Sequence, residues 1–374
     1  MRIVQIAPHV GPGTGVGAVA FHLEREWKAA GHDVTRFTLV EARGGWIPTG
    51  LTGIAEKGAL AARVLWFSTV GTVLARRHLA SSPPGTIIVC HNDVLAGDVY
   101  VNHGNLVAAM QARGHAWYRL LRNPLHLFTT TRDCLRYRSR VHSAVVNLSS
   151  VEDDLLRTTF GSVGSTTWVI PNGVDLDVYR PPSEIERSEV RATLRLQEDD
   201  NAVLFVGHEF GRKGLLSLVE ALLLLPPHHH LVVVGGDQKA LAQLRNDERV
   251  ARLGDRCHLV GATSPAAYYW ASDVLVQPSA YESYGLVVTE ALASGLPVIS
   301  TPVGCAPDVI DPGHNGYLTT GSPHDIARRI QDVELLPAPG CRRAAREAVQ
   351  SLTWAEVAKA YLTRMASLQT GSTV

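Results

Sequence analysis

The stretch that decides the fold is Tyr281-Glu282-Ser283-Tyr284-Gly285-Leu286-Val287-Val288-Thr289-Glu290. The apolar run at 273–277 precedes it and predicts a strand, and the apolar run at 296–300 predicts the strand that follows. Between the two strands the pattern predicts a short helix, which ends at the capping glycine Gly295. The segment is therefore a predicted βαβ unit, with its first glutamate in the loop and its second inside the helix.

The chemistry of this unit predicts a particular kind of ligand. In open α/β sheets, ligands bind at the carboxyl ends of the strands, where a helix N-terminus offers free N–H groups to a phosphate. Gly285 permits close approach at that terminus. Glu282 and Glu290 would repel a phosphate, but they can accept hydrogen bonds from neutral hydroxyl groups. The combination predicts a ligand that is part phosphate and part polyol, such as a nucleotide sugar.

Composition limits the class of protein. The 374 residues exceed what one hydrophobic core usually serves, so two domains are expected. The 35 basic and 35 acidic residues cancel over the whole chain, but residues 1–171 hold 17 basic and 11 acidic residues. The five cysteines are scattered, with no Cys-x-x-Cys pair, which argues against a disulfide framework and a zinc site. A reducing cytoplasm is the expected location.

Two segments have features that could mark an export signal or a membrane span. The first residues run directly into the apolar strand Ile3–Ala7 and are too short for a signal peptide. The longest apolar stretch, Gly58 to Ala75, is interrupted by Arg63, Ser68 and glycines, so a buried helix is expected there rather than a membrane span.

The first half of the chain predicts a doubly wound α/β domain. Its glycine motif, Gly15-x-Gly17-x-x-Ala20, follows the first strand, and Glu41 follows the second as a candidate ribose ligand. A nicotinamide-binding domain is therefore an alternative, as is a loop without a ligand. The loop from Pro8 to Gly17 is longer than a tight dinucleotide turn, which argues against the dinucleotide alternative. The predicted strands are Arg2–Ala7, Val34–Val40, Ile87–Cys90, Val99–Asn102, Ala144–Leu148 and Trp168–Ile170, with a helix over 56–78.

Two histidines end short buried strands in this half. His91 and His103 each lie at a predicted carboxyl end, where a histidine can position a substrate hydroxyl or carry a proton near neutral pH. For His91 a hydrogen-bonded structural role explains the position equally well. For His103 a functional role is favoured.

Residues 113–140 carry seven arginines and a single acidic residue, Asp133, interleaved with Trp117, Tyr118, Phe128 and Tyr137. The predicted helices would present a basic face with apolar anchors, which suits an anionic acceptor or an anionic membrane surface. A solvated basic face explains the same pattern. Nucleic acid is not an expected partner, because the whole chain is neutral and no binding motif accompanies the patch.

A domain boundary is predicted by the turn at 171–175 and the spacer Tyr179-Arg180-Pro181-Pro182. The predicted organisation is a first domain at 1–170, a linker at 171–182, a second domain at 183–350 and a terminal segment at 351–374. Asp175 and Asp177 are expected to cap the local turn rather than to bind a metal. The run His228-His229-His230 is expected at the surface without partners.

The second half restarts the α/β alternation and adds a cationic loop. The loop Gly207-His208-Glu209-Phe210-Gly211-Arg212-Lys213-Gly214 follows a predicted strand at 202–206. A guanidinium fork and an ammonium point charge in such a turn suit a diphosphate. This loop and the loop of Glu282 are expected at the same edge of one sheet.

With these motifs together, the chain resembles the retaining glycosyltransferases of family 4, in which two Rossmann-like domains face each other across a cleft, the GT-B fold. The resemblance spans nearly the whole chain. Departures are His208, where many members have arginine, Gly15-Val16-Gly17 in place of adjacent glycines, and Cys305 and Asp308 near the donor loops. Arg212 beside Lys213 is similar to the arrangement in lipopolysaccharide core heptose glucosyltransferases. The motifs that carry the resemblance are Glu282-x7-Glu290, 293–299, the hinge 170–175, and Val206-Gly207 with Lys213-Gly214.

The resemblance implies a metal-independent, retaining transfer of a sugar from a nucleotide-diphosphate sugar to an acceptor hydroxyl in glycan, glycolipid or glycosylated-metabolite biosynthesis. Glu282 would hold hydroxyls of the donor sugar, Glu290 would hold the ribose, and the amides of Leu286 and Val287 would meet the distal phosphate. The implied catalytic residues are His103, Glu282, Arg212 and Lys213. The implied donor-binding residues are Gly15, Gly17, Gly207, Arg212, Lys213, Glu282, Tyr284, Gly285, Leu286, Val287 and Glu290.

The implied partners are a nucleotide sugar, with UDP favoured over GDP or ADP, and a carbohydrate, lipid-linked or small-molecule acceptor on the first domain. No cofactor is expected. The terminal helix at 354–365 would return to the first domain, and the protein would be cytoplasmic, with peripheral contact at the inner face of the membrane through 113–140. An NAD-dependent oxidoreductase and a nucleotide-sugar 2-epimerase remain alternatives on the same architecture.

Overall fold

The computed structural model describes residues 1–13 and 15–370, except for the side chains of Ala116, Trp117, Arg119 and Thr370. The chain forms two compact units, Val174–Thr353 and Met1–Gly173 with the C-terminal helix that begins at Trp354. Each unit is built on a parallel six-stranded sheet flanked by helices. The predicted α/β class with two Rossmann-like domains is therefore confirmed.

The sheet of unit 1 has the strand order β2-β1-β3-β4-β5-β6. All neighbours pair in parallel, and the order reverses at β1, where the chain crosses over to build the other half of the sheet. Its strands are β1 (Arg2–Ile6), β2 (Asp33–Phe37), β3 (Thr86–Cys90), β4 (Val99–Asn102), β5 (Ala144–Asn147) and β6 (Thr166–Val169).

The sheet of unit 2 has the strand order β12-β11-β10-β7-β8-β9. Its strands are continuous apolar runs because both faces are covered by helices, as parallel sheets require. They are β7 (Asn201–Val206), β8 (His229–Val234), β9 (Cys257–Gly261), β10 (Val274–Gln277), β11 (Val298–Ser300) and β12 (Gly316–Leu318). Strand β12 was not predicted from the sequence, because it is three residues long and lacks a sustained apolar run.

The helices follow the strands in α/β order. In unit 1 they are α1 (Val16–Ala29), α2 (Gly53–Ser68), α3 (Val70–Ala80), α4 (Leu106–Ala112), α5 (Ala116–Arg122), α6 (Pro124–Arg138), α7 (Ser150–Phe160) and the C-terminal α17 (Trp354–Thr370). In unit 2 they are α8 (Glu184–Thr193), α9 (Leu215–Leu223), α10 (Gln238–Arg245), α11 (Glu248–Leu253), α12 (Ala266–Ala271), α13 (Leu286–Ala293), α14 (Ala306–Val309), α15 (Pro323–Glu334) and α16 (Ala338–Val349).

The C-terminal helix packs on α1 within unit 1. The indole of the buried Trp27 donates to the carbonyl oxygen of Ala358 at 3.1 Å and meets the ring of Tyr361 edge-on. His22 stacks on Trp354, with ring centroids 4.6 Å apart. Aromatic burial of this kind supplies most of the energy that holds such a helix in place.

The helix predicted over 56–78 is two helices, which is a correction. Thr69 separates α2 from α3, and its hydroxyl donates to the carbonyl oxygen of Leu65 at 2.7 Å, a contact that bends helices. The stretch Gly53–Ala80 has the length and apolarity of a membrane span, with 33% of its most apolar window buried. The expectation of a buried helix over Gly58 to Ala75 is therefore met on one face only, since Leu60 and Val73 are each 51% exposed.

Candidate functional site

The two loops singled out in the sequence lie side by side in unit 2. β7 and β10 are neighbours in the sheet, so the loop after Val206 and the loop after Gln277 leave the same edge at adjacent positions. The amide of Ala280 donates to the carbonyl oxygen of Arg212 at 2.9 Å and links the two loops directly. The topology thus brings the cationic loop and the Glu282 loop together, as the sequence predicted.

Lys213 and Glu282 form a direct ion pair at this edge. The Nζ of Lys213 lies 2.7 Å from Oε1 of Glu282, and both side chains are 13% exposed. Ser279 donates its hydroxyl hydrogen to the same oxygen at 2.9 Å. The pair holds the ammonium group within the site, at a position where charged donors interact strongly with a ligand.

Arg212 lies beside this pair and is also oriented by acceptors. Its Nη1 donates to the carbonyl oxygen of Tyr281, its Nε donates to Glu209, and Nη1 lies 3.6 Å from Glu282. Burial opposes the charge of Arg212, but the carboxylates of Glu282 and Glu209 outweigh it and raise its pKa. The site therefore holds two fixed cations whose present partners are carboxylates and backbone oxygens.

Glycines let the loops of the site approach one another closely. A Cβ on Gly207 would lie 2.2 Å from Cδ of Lys213, so the glycine makes room for the lysine side chain. A Cβ on Gly235 would lie 2.2 Å from the carbonyl oxygen of Gly207. The Gly235-Gly236 pair was not predicted as part of the site, although a glycine dipeptide directly after a buried strand is its signal in the sequence.

His208, whose role was open, joins the cationic loop to that glycine pair. The amide of Gly236 donates to its Nδ1 at 3.2 Å, which makes Nδ1 the acceptor and places the proton of a neutral ring on Nε2. The exposed ring thus offers a donor at Nε2.

Gly214→Ala should destabilise the protein, whereas Gly211→Ala should leave it nearly unchanged. Gly214 has φ +73°, and a Cβ there would lie 2.2 Å from the carbonyl oxygen of Pro278, an atom of the backbone that cannot swing away. A Cβ on Gly211 would meet no atom within 4 Å. Backbone strain and overpacking together predict that Gly214→Ala lowers the free energy of unfolding by about 2–4 kcal/mol. Urea unfolding of both variants checks the difference, and equal midpoints would contradict it.

The N-terminus of α13 opens at the same edge. Gly285, at φ +86°, is the residue before the helix, and the amides of Leu286 and Val287 are among those that have no acceptor within a helix. The side chain of Tyr284 is 2% exposed and interacts with the hydroxyl of Thr289, while its carbonyl oxygen accepts from the amide of Cys305 at 2.7 Å. Tyr284 thus packs beneath the loop. Direct contact between its side chain and the nucleotide-sugar donor stays a prediction.

Glu290 is held by two tyrosines that the sequence analysis missed. Tyr269 donates its phenolic hydrogen to Oε2 at 2.8 Å, and Tyr179 also bonds to the carboxylate. Burial raises the pKa of Glu290, and the two phenols oppose that rise. Tyr179 lies in the segment predicted as a spacer, and Tyr269 lies on α12, so only the fold brings them to the glutamate.

In unit 1, His103 ends a hydrogen-bonded relay that begins at Gln5. The amide nitrogen of Gln5 donates to the carbonyl oxygen of Ala20 at 3.0 Å, so its oxygen, 2.7 Å from Nε2 of His91, must accept. The Nδ1 of His91 then accepts from Nε2 of His103 at 3.1 Å. The relay makes Nδ1 of His103 an acceptor for a hydroxyl group.

Burial keeps this relay neutral. It lowers the pKa of His103 to about 3 and that of His91 well below its ordinary value. With pKa values this low, neither ring is an imidazolium near neutral pH, which disfavours the proton-carrying role of the two predicted for them. The positioning role is the one that the contacts favour.

The glycine motif of unit 1 lies on a loop closed by a hydrogen bond from Gly11 to Gly17, 3.3 Å long. Gly15 precedes α1, and Thr14 lies outside the described residues. Strand β2 ends at Phe37, not at Val40, and Glu41 accepts from the amide and hydroxyl of Thr38, both at 2.6 Å. Glu41 therefore caps a local turn, which weakens the dinucleotide alternative.

The arginine-rich segment is only partly a basic face. Arg132 and Arg136 are buried, Arg132 pairs with Asp93 at 2.6 Å, and Arg136 pairs with Asp133 at 2.6 Å. These two arginines belong to the core, which corrects the prediction of a continuous basic face. Four others (Arg113, Arg122, Arg138 and Arg140) lie at the surface with the apolar Tyr118, Leu121, Leu127 and Leu135. The predicted aromatic anchor Trp117 has a side chain outside the described part of the chain.

The predicted turn at Asp175 is a local cap, because its Oδ1 accepts from the amides of Asp177 and Val178 at 3.1 Å.

The predicted site residues of unit 2 come together around one edge of its sheet. The residues so assembled are Gly207, Arg212, Lys213, Glu282, Tyr284, Gly285, Leu286, Val287 and Glu290. The predicted residues His103, Gly15 and Gly17 belong to unit 1.

Residues 186–350, which lie within unit 2, match the profile of the glycosyl transferases group 1. The D-inositol 3-phosphate glycosyltransferase of Xylanimonas cellulosilytica is 36% identical over 224 residues, which is 56% of this chain and 53% of that protein. The protein of the same name from Streptomyces avermitilis is 36% identical over 233 residues, 58% and 50% of the two chains. The chain thus matches about half the length of these relatives.

Solved structures match the fold over nearly its whole length. Sucrose-phosphate synthase from Thermosynechococcus elongatus has a TM-score of 0.74 at 23% identity and 99% coverage of both chains. HepE of Anabaena in complex with UDP-glucose has a TM-score of 0.68 at 22% identity, with 98% of this chain and 100% of HepE covered. The match to the group 1 glycosyltransferases therefore lies in residues 186–350 of unit 2, and the likeness to the solved structures shows the fold of the chain, two Rossmann-like units as in the GT-B fold.

Proposed function

We propose that this protein transfers a sugar, with retention of its anomeric configuration, from a nucleotide-diphosphate sugar bound to unit 2. The proposal rests on one observation. Arg212 and Lys213, in the loop after β7, lie beside Glu282 and the N-terminus of α13, the helix that carries Glu290, after the neighbouring strand β10. Cationic side chains and helix amides suit the diphosphate, and carboxylates suit hydroxyl groups.

The Lys213–Glu282 pair suggests how the donor binds. A diphosphate brings negative charge to a site where Lys213 is already neutralised by Glu282 at 2.7 Å. We propose that the phosphate takes over Lys213 and that Glu282 then accepts hydrogen bonds from the sugar. The ion pair thus keeps the lysine in position before the donor arrives, and the exchange couples phosphate binding to sugar binding.

In the transition state, negative charge grows on the leaving diphosphate, and Arg212, Lys213 and the amides of Leu286 and Val287 would stabilise it. Under this proposal the two cationic side chains stabilise that charge without a metal ion. A phosphate oxygen on the face of the leaving group would take the proton of the acceptor hydroxyl, which gives retention. The favoured donor is a UDP-sugar, a preference that agrees with the UDP-glucose bound to the HepE structure.

The direct test is incubation of UDP-, GDP- and ADP-hexoses with the protein in EDTA, followed by NMR of the products. The proposal expects release of one nucleoside diphosphate and, with an acceptor alcohol, a glycoside of the donor's own anomeric configuration. An inverted product would contradict the retaining mechanism. A C2-epimerised sugar formed without any acceptor would instead identify an epimerase. Hydride transfer with NAD⁺ would identify an oxidoreductase, which the local role of Glu41 does not favour.

Gln5→Leu should lower turnover about tenfold while leaving the affinity for the nucleoside diphosphate unchanged. The leucine removes the acceptor that holds the proton of His91 on Nε2, so His103 loses its fixed tautomer. Steady-state rates and calorimetric affinity measured on the same variant check this. Weaker nucleotide binding with normal turnover would contradict a positioning role for the relay.

We propose that the acceptor binds unit 1 and that its exposed arginines and apolar side chains at 113–140 contact an anionic membrane surface at the inner face of the membrane. The exposed Leu121 and Arg122 provide an apolar and a cationic contact on neighbouring positions. Vesicles with anionic lipid should therefore bind the protein several-fold better than neutral vesicles. Arg122→Glu should reduce that difference, and Arg343→Glu, an exposed change in unit 2, should not. Equal binding to both kinds of vesicle would refute the membrane contact.

A further inference from the structure

A second cluster of ligand-type side chains lies in unit 2, at the start of β8. It consists of His228, His229 and Glu334, whose candidate ligand atoms all lie within 4.8 Å of one another. His228 is exposed, His229 is 1% exposed, and Glu334 is the last residue of α15. The sequence analysis placed the histidine run at the surface without partners, which is wrong for His229.

The contacts of His229 define which ring nitrogen carries its proton. Its Nδ1 lies 3.1 Å from the carbonyl oxygen of Pro226. A carbonyl oxygen can only accept, so Nδ1 must donate, and a neutral ring then has a bare lone pair on Nε2.

That lone pair faces a second acceptor. Nε2 of His229 lies 2.8 Å from Oε1 of Glu334, yet it is buried with no hydrogen-bond partner of acceptable geometry among the described residues. Two acceptors at this distance repel each other unless a cation lies between them, and that cation is either a proton on Nε2 or a metal ion. Two metal–ligand bonds of about 2.0–2.1 Å at the tetrahedral angle span roughly 3.3 Å, so an ion would move these two atoms apart by about 0.5 Å.

We propose that His228, His229 and Glu334 bind a divalent transition-metal ion of the Zn²⁺ class. Two imidazoles and one carboxylate are ligands that Zn²⁺ accepts, with solvent completing the coordination. Asn201 supplies the outer support, because its amide nitrogen donates to Oε1 of Glu334 at 3.0 Å and fixes the carboxylate.

The ion would act on the architecture of unit 2 and not on the transfer reaction. His229 begins β8, whereas the donor loops leave the carboxyl ends of the strands, about 17 Å away along a six-residue strand. A metal here would tie the beginning of β8 to the end of α15. The proposal therefore stands independently of the proposed transferase activity.

Calorimetric titration of the tag-free, EDTA-treated full chain with ZnCl₂ tests the site. We expect one equivalent to bind, with a raised thermal midpoint, and at least a tenfold loss of affinity in His228→Ala and in Glu334→Gln. His228 is exposed, so its replacement leaves the core intact. His314→Ala, which removes an exposed histidine paired with Asp311, should bind Zn²⁺ normally.

Two outcomes would overturn the proposal. One is the absence of a saturable binding event with Zn²⁺, and the other is equal affinity in the wild type and in His228→Ala and Glu334→Gln. Nucleoside-diphosphate affinity, measured on His228→Ala as a separate readout, should equal that of the wild type, since the donor residues lie at the other edge of the sheet.

Discussion

Lys213→Met is expected to lower the turnover number for sugar transfer by about 100-fold or more. Methionine keeps the aliphatic stem that lies against Gly207 but removes the ammonium group 2.7 Å from Glu282. The lost cation is one of the groups proposed to stabilise the leaving diphosphate, and the loss of one such preorganised donor costs about 10²–10³ in rate. Steady-state release of the nucleoside diphosphate measures the effect.

The matched control is Lys239→Met, which removes an exposed lysine from α10 of the same unit. Its turnover should match the wild type, because this lysine is not among the residues proposed to bind the donor. Far-ultraviolet circular dichroism of both variants separates a catalytic loss from misfolding. If Lys213→Met turned over its donor at the wild-type rate, the proposed role of this lysine would be wrong.

Glu290→Gln is expected to weaken nucleoside-diphosphate binding by about tenfold to 100-fold. The substitution keeps the shape of the side chain but removes the charged acceptor proposed for the ribose hydroxyls, and hydrogen bonds to charged groups contribute about 1.5–3 kcal/mol. It also exchanges one oxygen of the carboxylate that accepts from Tyr269 for a donor. Isothermal titration with UDP measures the change in affinity.

Tyr179→Phe gives a graded comparison for Glu290. It removes one of the two phenols that orient the carboxylate but leaves the carboxylate in place, so its loss of UDP affinity should be smaller than that of Glu290→Gln. Glu347→Gln, an exposed change on α16, is the matched control. Unchanged UDP affinity in Glu290→Gln would remove this residue from the donor site.

Periodicity and glycine placement were sufficient to predict the layout of unit 2. The strand predicted from the run at 273–277 is observed at Val274–Gln277, because a short apolar run between polar turns is typical of a buried parallel strand. The adjacency of the Lys213 and Glu282 loops also followed from the rule that strand carboxyl ends carry the ligands. In contrast, β12 is too short to show a period, and α2 and α3 are separated by the contact of one threonine side chain.

The parts of the site that sequence reasoning missed are those that depend on contacts between distant segments. Tyr179 and Tyr269 are 90 positions apart and meet only at Glu290. Gln5 contacts His91 across 86 positions, and nothing local in either segment signals the pair. The burial of Arg132 and Arg136 is of the same kind, because Arg132 pairs with Asp93, 39 positions away, and Arg136 donates to the carbonyl oxygen of Val94, 42 positions away.

The measurement that tests the central claim most directly is calorimetric titration of the protein with UDP, GDP, ADP and NAD⁺, repeated on Arg212→Ala. The account predicts that one nucleoside diphosphate, favoured to be UDP, binds tightly in the presence of EDTA and that Arg212→Ala loses most of that affinity. Binding of NAD⁺ alone, unchanged in Arg212→Ala, would contradict a donor site on unit 2 and would move the ligand to the glycine loop of unit 1.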